Sequence, residues 1–172
     1  MAVKGLCFFL TGLPASGKTT LARALRRTAP RPVTMIDGDE FRAAFSPDLG
    51  WSDEERSLHL RRVSIVASQV QKHGGCTLIA EVAPVEVRRR LVRTAVEFNG
   101  GRFVLVHVST PLSVCEGRDP KGLYAKARAG EIENFTGVTG SYEVPDYADE
   151  VIDCSAGDPM AIARQLWEKW DN

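Results

Sequence analysis

The sequence predicts an α/β fold in which helices cover both faces of a central parallel sheet of about five strands. Two observations support this prediction. Short apolar segments alternate with helical patterns along the chain, as they do in successive strand–helix units. These segments are apolar almost throughout, which is typical of strands that are covered on both faces. The length of 172 residues, with 44% hydrophobic residues and no formal net charge, fits a single domain (residues 1–172) with a buried core.

Five segments are predicted as strands, at residues 6–11, 33–37, 77–82, 102–109 and 150–153. The predicted helices lie between and after them, at residues 17–29, from 52 to about 73, at 86–99, after 111 and from 159 to 167. Ser52, with a glutamate three residues later, fits a capping box. Asp158 before Pro159 and Thr110 before Pro111 each fit an N-cap residue followed by proline in the first turn.

Residues 119–146 interrupt this alternation. They are rich in glycine and charge, show no strand pattern and form a segment too long for a simple connector. Long irregular segments in compact domains are often functional, so this one is predicted to be a lid. Four arginines at positions 88, 89, 90 and 93 lie in the preceding helical region. They are interpreted as a solvated helix face rather than as an anion patch, because the rest of the chain offsets their charge.

Composition excludes several classes of protein. The 22 Lys and Arg residues balance 22 Asp and Glu residues, which argues against nucleic-acid binding driven by charge. The first apolar segment is too short to span a membrane, and no targeting segment is recognised. The four cysteines are scattered without a CxxC pair, so neither a zinc site nor a disulfide framework is predicted. These observations predict a cytoplasmic protein that binds neither nucleic acid nor membrane.

A phosphate-binding loop follows the first strand. The eight residues from Gly12 to Thr19 fit the pattern G-x-x-x-x-G-K-[ST], between a strand and a helix. Glycines let backbone N–H groups surround a phosphate, Lys18 reaches the β- and γ-phosphates, and the Thr19 hydroxyl can ligate Mg²⁺. The sequence therefore predicts a P-loop NTPase fold, a three-layer α/β/α sandwich that binds ATP and Mg²⁺. The predicted nucleotide-binding residues are Gly12, Leu13, Pro14, Ala15, Ser16, Gly17, Lys18, Thr19 and Thr20.

Two carboxylates follow the second strand, in Asp37-Gly38-Asp39-Glu40-Phe41-Arg42. No guanine-reading motif is present, and small-molecule kinases place acidic residues and arginines at this point. One carboxylate can hold Mg²⁺ while the other faces an acceptor hydroxyl. Lys18, Asp37 and Asp39 are the predicted catalytic residues, with Thr19 and Asp37 as metal ligands. Two alternatives stay open. The two aspartates could have the opposite roles, or the segment could be no more than an aspartate N-cap followed by ordinary helix charges.

Residues 111–137 contain two further motifs, Asp-Pro-Lys-Gly-Leu-Tyr and Phe-Thr-Gly. With the P-loop and Asp37-Gly38-Asp39-x-x-Arg42, they give a sequence that resembles the adenylyl-sulfate kinase (APS kinase) family. It implies transfer of the γ-phosphoryl group of ATP to the 3′-hydroxyl of adenosine 5′-phosphosulfate (APS). The product would be 3′-phosphoadenosine 5′-phosphosulfate (PAPS), formed in sulfate activation. The resemblance also implies a homodimer.

The same resemblance implies roles for residues of the acceptor pocket and the lid. Arg42 and Arg56 would contact the phosphosulfate, and Phe135 and Trp51 would sandwich the adenine. Apart from the resemblance, the place of Arg118 at the base of the lid would let it reach a phosphate of the nucleotide, and a salt bridge near a helix end is the alternative. The segment from Lys121 to Tyr124 would help to close the lid. The predicted substrate-binding residues are Asp39, Arg42, Trp51, Arg56, His59, Val82, Lys121, Gly122, Leu123 and Phe135.

The third strand departs from the family pattern. The family typically reads Ser-Phe-Ile-Ser-Pro-Tyr-Arg there, whereas this chain reads Ala-Glu-Val-Ala-Pro-Val-Glu at residues 80–86. Ala83 lacks a hydroxyl, and Val85 and Glu86 replace an aromatic residue and a cation. His59 stands where the family usually has Asn. Two alternatives therefore stay open: a kinase for a different anionic nucleotide or metabolite, and a weakly active nucleotide-binding regulator.

Overall fold

Five parallel strands form one sheet in the order β2-β3-β1-β4-β5. The computed structural model describes residues 5–171, so the ends of the predicted domain, residues 1–4 and 172, lie outside it. The strands are β1 Leu6–Thr11, β2 Val33–Asp37, β3 Cys76–Ala80, β4 Arg102–Val108 and β5 Glu150–Ile152. The helices are α1 Lys18–Thr28, α2 Gly38–Phe45, α3 Asp53–Lys72, α4 Glu86–Phe98, α5 Leu112–Arg118, α6 Leu123–Arg128 and α7 Pro159–Trp170. The predicted α/β fold with five parallel strands is confirmed.

Each face of the sheet has its own hydrophobic core. Side chains alternate along a strand, so Phe8 and Leu10 enter one core while Phe9 enters the other. The first core is closed by α1 and α7, and the indole of Trp167 packs edge-on against Phe8 and donates to the carbonyl of Leu25. The second core lies under α3 and α4 and includes Val63 and Val92. This arrangement gives the three layers that the sequence predicts.

Two of the predicted caps form. The Ser52 hydroxyl accepts from the backbone N–H of Glu55, whose carboxylate accepts from the N–H of Ser52. Asp158 caps α7 ahead of Pro159. The prediction for Thr110 is wrong, because Pro111 is the N-cap residue of α5. The Thr110 hydroxyl instead donates to the P-loop carbonyl of Ser16 at 2.7 Å and accepts from the N–H of Cys154.

The loop after β3 turns away from the sheet earlier than predicted. β3 ends at Ala80, although the N–H of Glu81 still donates to the carbonyl of Leu10. The carbonyl of Val82 accepts from the hydroxyl of Thr11 at 2.6 Å, and Ala83 has a positive φ of 39°. These contacts close the strand and direct the chain into α4.

Two helices, α2 and α6, are additional to the five predicted ones, although a helix cap after the second strand was one of the alternatives. Asp37 caps α2 by accepting from the N–H groups of Asp39 and Glu40, so the acidic segment after β2 is helical. The predicted lid contains α6, which begins after Gly122 at φ 65°. No helix among residues 5–171 is long and apolar enough to cross a membrane.

The interpretation of the arginine run as a solvated face is wrong for Arg88 and Arg89. Arg89 is only 1% exposed, and its guanidinium donates to the carbonyls of Ala83 and Glu143, both at 2.8 Å. Arg88 is also buried and pairs with Asp53. A buried guanidinium requires such partners, and only the folded chain brings them together. Arg89 thus joins α4 to the loop after β3 and to the C-terminal part of the lid segment.

Replacing Arg89 with methionine is expected to destabilise the fold by about 2–5 kcal/mol, because the two carbonyls would lose their donor. The neighbouring Arg90→Met is the matched control, since Arg90 is exposed and pairs with Glu86 one helical turn earlier. That change should alter the free energy of unfolding by no more than about 0.5 kcal/mol. Urea denaturation followed by circular dichroism measures both values. Equal midpoints for the two variants would contradict the structural role of Arg89.

Candidate active site

The P-loop backbone connects β1 to α1 at the carboxyl end of the sheet, where open α/β sheets bind ligands. Gly12 has φ 155°, and a Cβ at this position would overlap the carbonyl oxygen of Val108. Gly17 has φ 106° and precedes the first turn of α1. Ala15 also has a positive φ of 60°. The backbone conformation therefore requires the glycines of the motif, and it presents the N-terminus of α1 to a phosphate.

Lys18 lies within this loop and is only 9% exposed. Its ammonium donates to the carbonyls of Gly12 at 2.9 Å and Leu13 at 2.7 Å. Burial lowers the pKa of Lys18 to about 8, and the Glu81 carboxylate is the charge that opposes this shift most strongly. At pH 7 the ammonium is still the main form, so a positive charge is available for phosphate.

Thr19 and Asp37 meet at the start of α1. The Thr19 hydroxyl donates to Oδ2 of Asp37 at 2.7 Å, and Asp37 is 8% exposed. Its other oxygen accepts from the N–H of Asp39 at 3.2 Å, which fixes the carboxylate. The two predicted metal ligands are therefore adjacent. Thr20, the next residue of the predicted nucleotide site, is exposed.

Asp39, in the first turn of α2, connects this helix to the lid. Its Oδ2 pairs with the ammonium of Lys121, and both side chains are largely exposed. The lid also contacts the P-loop directly, because the Tyr124 hydroxyl donates to the carbonyl of Pro14 at 3.0 Å. Phe135 packs edge-on against Tyr124, with ring centroids 5.0 Å apart. The structure thus brings the predicted lid residues into contact with both the P-loop and the first turn of α2. Leu123, another predicted lid residue, is the first residue of α6.

An arginine–tryptophan cluster formed by Arg42, Trp51 and Arg56 lies between α2 and α3. The guanidinium carbon of Arg42 is 4.1 Å from the centroid of the Trp51 ring, and that of Arg56 is 5.6 Å from it. Arg56 donates to the carbonyl of Trp51 at 2.8 Å and to that of Asn134, beside Phe135, at 3.4 Å. Trp51 is 65% exposed. Two cations and an exposed ring form a surface suited to an anionic nucleotide.

Arg118, the last residue of α5, contacts the P-loop. Its guanidinium donates to the carbonyls of Ala15 and Ser16, each at 3.4 Å, and to that of Cys154 at 2.6 Å. In this arrangement Arg118 holds the backbone of the P-loop. The side chain is exposed at the surface of the nucleotide-binding loop.

The arrangement of the P-loop, the two aspartates and the lid is that of a kinase of small molecules, and one comparison decides the family. The family model described as adenylylsulphate kinase matches residues 4–153. The chain belongs to the adenylylsulphate kinase family. This confirms the resemblance that the P-loop, the Asp37-Gly38-Asp39 segment and the lid segment indicated.

Several individual proteins are also similar to this chain. An adenylyl-sulfate kinase of Shewanella halifaxensis is 49% identical over 158 residues, covering 90% of this chain and 76% of that protein. A sulfate adenylyltransferase of Emericella nidulans is 43% identical over 169 residues, of which the match covers 96% of this chain and 29% of the relative. The chain thus spans under a third of that relative's length. An APS kinase of Mycobacterium tuberculosis, solved in complex with AMPPNP and APS, superposes with a TM-score of 0.89 at 36% identity over 96% of each chain.

Two departures from the adenylylsulphate kinase pattern are in contact with each other. His59 is 3% exposed, and its Nε2 lies 2.8 Å from Oε1 of Glu81. Its Nδ1 lies 3.0 Å from the hydroxyl of Ser46. His59 and Val82 are predicted substrate contacts, whereas Glu81 is not among the predicted site residues. A carboxylate directly after an apolar strand that pairs with β1 was a signal for it, because the carboxyl ends of neighbouring parallel strands meet at the edge of the sheet where ligands bind.

Proposed function

We propose that this chain transfers the γ-phosphoryl group of ATP to the 3′-hydroxyl of APS to give PAPS, in sulfate activation. The observation that carries this proposal is the joint placement of the P-loop, the Asp37–Thr19 contact and the arginine–tryptophan cluster. The lid contacts the P-loop through Tyr124, Asp39 through Lys121, and Arg56 through the carbonyl of Asn134. Membership of the adenylylsulphate kinase family supports the same reaction. The solved relative that holds AMPPNP and APS supports the two substrates.

ATP would lie with its phosphates on the P-loop. The backbone from Gly12 to Gly17 supplies N–H groups, and Lys18 is positioned to leave its carbonyl partners for the β- and γ-phosphates. Lys18 thereby places a positive charge where the transferring phosphoryl group develops negative charge. Arg118 would keep the P-loop in shape through its contacts with Ala15 and Ser16.

Mg²⁺ fits the corner beside Thr19 and Asp37. A hydroxyl and a carboxylate lie 2.7 Å apart there, and oxygen ligands of this kind are the ones that Mg²⁺ prefers. Thr19 and Asp37 would hold the ion, which supplies charge neutralisation at the β- and γ-phosphates. Because Asp37 also caps α2, its carboxylate is oriented by the fold itself. This contact supports Asp37, rather than Asp39, as the metal ligand.

Asp39 would orient or deprotonate the acceptor hydroxyl. It is exposed, it is the second residue of α2, and it is tied to the lid by Lys121. The arginine–tryptophan cluster would bind the phosphosulfate and the adenine, with Phe135 on the lid side. The residues from Lys121 to Leu123 would close over the nucleotides, and closure excludes water that would otherwise compete as acceptor.

Arg56→Ala is expected to raise the KM for APS by about 10- to 100-fold, because charge-assisted hydrogen bonds to an anion would be lost. The KM for ATP should change by less than about twofold. The matched control is Arg62→Ala on the same helix, since Arg62 is engaged with Asp48 at the surface. Initial rates at varied concentrations of each substrate test this. A rise in the KM for ATP of the same size would contradict the assignment of Arg56 to the acceptor.

The experiment that tests the function is an assay with ATP, Mg²⁺ and APS in which PAPS is followed by chromatography. Formation of PAPS would support the proposal.

A second function, phosphorylation of a different anionic acceptor, is favoured by the His59–Glu81 contact and by Ala83, which alter the acceptor side and leave the P-loop intact. Turnover of another anionic nucleotide in place of APS would support that function. Binding of ATP without turnover of any acceptor would instead support a regulator. The homodimer and the cytoplasmic location stay predictions.

A further inference from the structure

Glu81 lies beside the first residue of α2, on the acceptor side of the site. A Cβ added to Gly38 would be 2.5 Å from the carboxylate carbon of Glu81, so this carboxylate rests on the backbone between Asp37 and Asp39. His59, its hydrogen-bond partner, is three residues after Arg56 on α3 and therefore on the same face of that helix. Glu81 thus contacts α2 at its first residue and α3 through His59, and these are the two helices that carry Arg42 and Arg56.

His59 holds this carboxylate in one orientation. A neutral imidazole satisfies all its neighbours if Nε2–H donates to Oε1 of Glu81 and Nδ1 accepts from the Ser46 hydroxyl. Both ring nitrogens are then used within the protein, so the ring has no hydrogen-bonding group left for a ligand. Any contact with the acceptor at this place falls to Glu81 instead of His59.

One oxygen of Glu81 is available to a ligand. Oε1 is bound to His59, whereas no residue among 5–171 donates a hydrogen bond to Oε2. The side chain is 15% exposed, so it is enclosed but still reachable. A carboxylate oxygen in this state accepts from an O–H group, and it repels an anion. It therefore suits a neutral, hydroxyl-bearing part of a ligand whose anionic part lies elsewhere.

We propose that Glu81, oriented by His59, accepts a hydrogen bond from a sugar hydroxyl of the acceptor nucleotide and so determines which end of the acceptor faces the P-loop. The sugar would lie at Glu81 beside Asp39, and the anionic end would lie at Arg42 and Arg56. His59 and Glu81 both depart from the family pattern and contact each other, so this acceptor contact would be particular to this chain. This inference rests on the proposed function, because it takes APS as the acceptor.

Binding of acceptor analogues to the enzyme loaded with ADP and Mg²⁺ tests the proposal without turnover. Isothermal titration compares APS with its 2′-deoxy and 3′-deoxy analogues, for the wild type and for Glu81→Ala. In the wild type, removal of the contacted hydroxyl should weaken binding by about 10- to 100-fold. In Glu81→Ala the same removal should cost less than about twofold. Equal losses in the two proteins for both analogues would overturn the proposal.

Further variants separate this role from a structural one. Glu81→Gln keeps the shape and an acceptor oxygen, and it should give an intermediate loss, so it also serves if the alanine variant does not fold. His59→Ala should weaken APS binding on its own but add no further loss to Glu81→Ala, as expected for a residue that acts through Glu81. Glu86→Ala is the matched control, since Glu86 lies in the first turn of α4 and pairs with Arg90. An additive loss in the double variant would contradict the positioning role of His59.

A hydroxyl could also be offered by water on Mg²⁺, and a separate arm distinguishes this source. ADP affinity is measured with and without Mg²⁺ for the wild type and Glu81→Ala. An unchanged Mg²⁺ dependence, together with the altered response to deoxy analogues, supports the sugar contact. A loss confined to the Mg²⁺ dependence would overturn it. If the wild type binds no APS at all, the proposed function fails and this inference fails with it, whereas PAPS formation without the analogue effect contradicts this inference alone.

Discussion

Replacing Lys18 with alanine is expected to lower kcat for phosphoryl transfer by at least about 10³-fold, because a preorganised positive charge at the transferring phosphate would be lost. Lys18 is buried among the carbonyls of its own loop, so no exposed lysine can take its place. Single-turnover measurements with saturating ATP, Mg²⁺ and APS give the rate of the chemical step. They separate it from any loss of ATP affinity.

Lys72→Ala is the matched control for this experiment. Lys72 is an exposed lysine at the end of α3, outside the site, and its replacement should leave kcat within about twofold. Lys18→Arg keeps the charge but not the compact ammonium, and the enclosed loop leaves little room for a planar guanidinium. We therefore expect a large loss in Lys18→Arg as well. Near-normal turnover in Lys18→Ala would contradict the assignment of the P-loop as the site of transfer.

Asp39→Asn is expected to lower kcat by about 10²- to 10⁴-fold, with less than about threefold change in ATP affinity. The change removes the group that would accept the hydroxyl proton while it preserves size. Asp37 would be unaffected, because it is held by Thr19 and by the first turn of α2. The kcat from steady-state PAPS formation and the ATP dissociation constant from titration are the two quantities to compare.

Asp39 also pairs with Lys121, so the loss of this ion pair must be separated from the loss of a base. Lys121→Ala provides the comparison. Exposed ion pairs contribute at most about 1 kcal/mol, and this variant should therefore change kcat far less than Asp39→Asn does. If both variants lose the same activity, the effect of Asp39 comes from lid closure rather than from proton transfer.

The nucleotide side of the site could be predicted from the sequence because its chemistry is local. The P-loop needs glycines at fixed positions, then a lysine and a threonine, and all of them lie within eight residues between one strand and one helix. The alternation of apolar segments likewise fixed the layers and the parallel sheet, since a strand covered on both faces has a composition of its own. The caps at Ser52 and Asp158 were also predictable, because each acts on its own helix.

The predictions from sequence were wrong where a polar side chain forms its hydrogen bonds with a different segment of the chain. Thr110 has the sequence pattern of a helix cap, but its hydroxyl donates to Ser16, 94 positions earlier. Arg89 lies in a run of arginines that local charge alone would leave in solvent, yet its partners are Ala83 and Glu143, which lie in two different loops. Nothing in the neighbouring residues of either position states which carbonyl will be close in the folded chain.

The sequence by itself determined a P-loop fold and a family, and it predicted the residues that would contact ATP, because these depend on short motifs and on the period of hydrophobic residues. The tertiary structure alone decided how the acceptor side is arranged. It placed Glu81 against His59, 22 positions away, and it seated the lid on Asp39 through Lys121, 82 positions away. Hydrogen bonds and ion pairs form between groups a few ångströms apart in space, and separation along the chain does not fix that distance until the sheet and helices have packed.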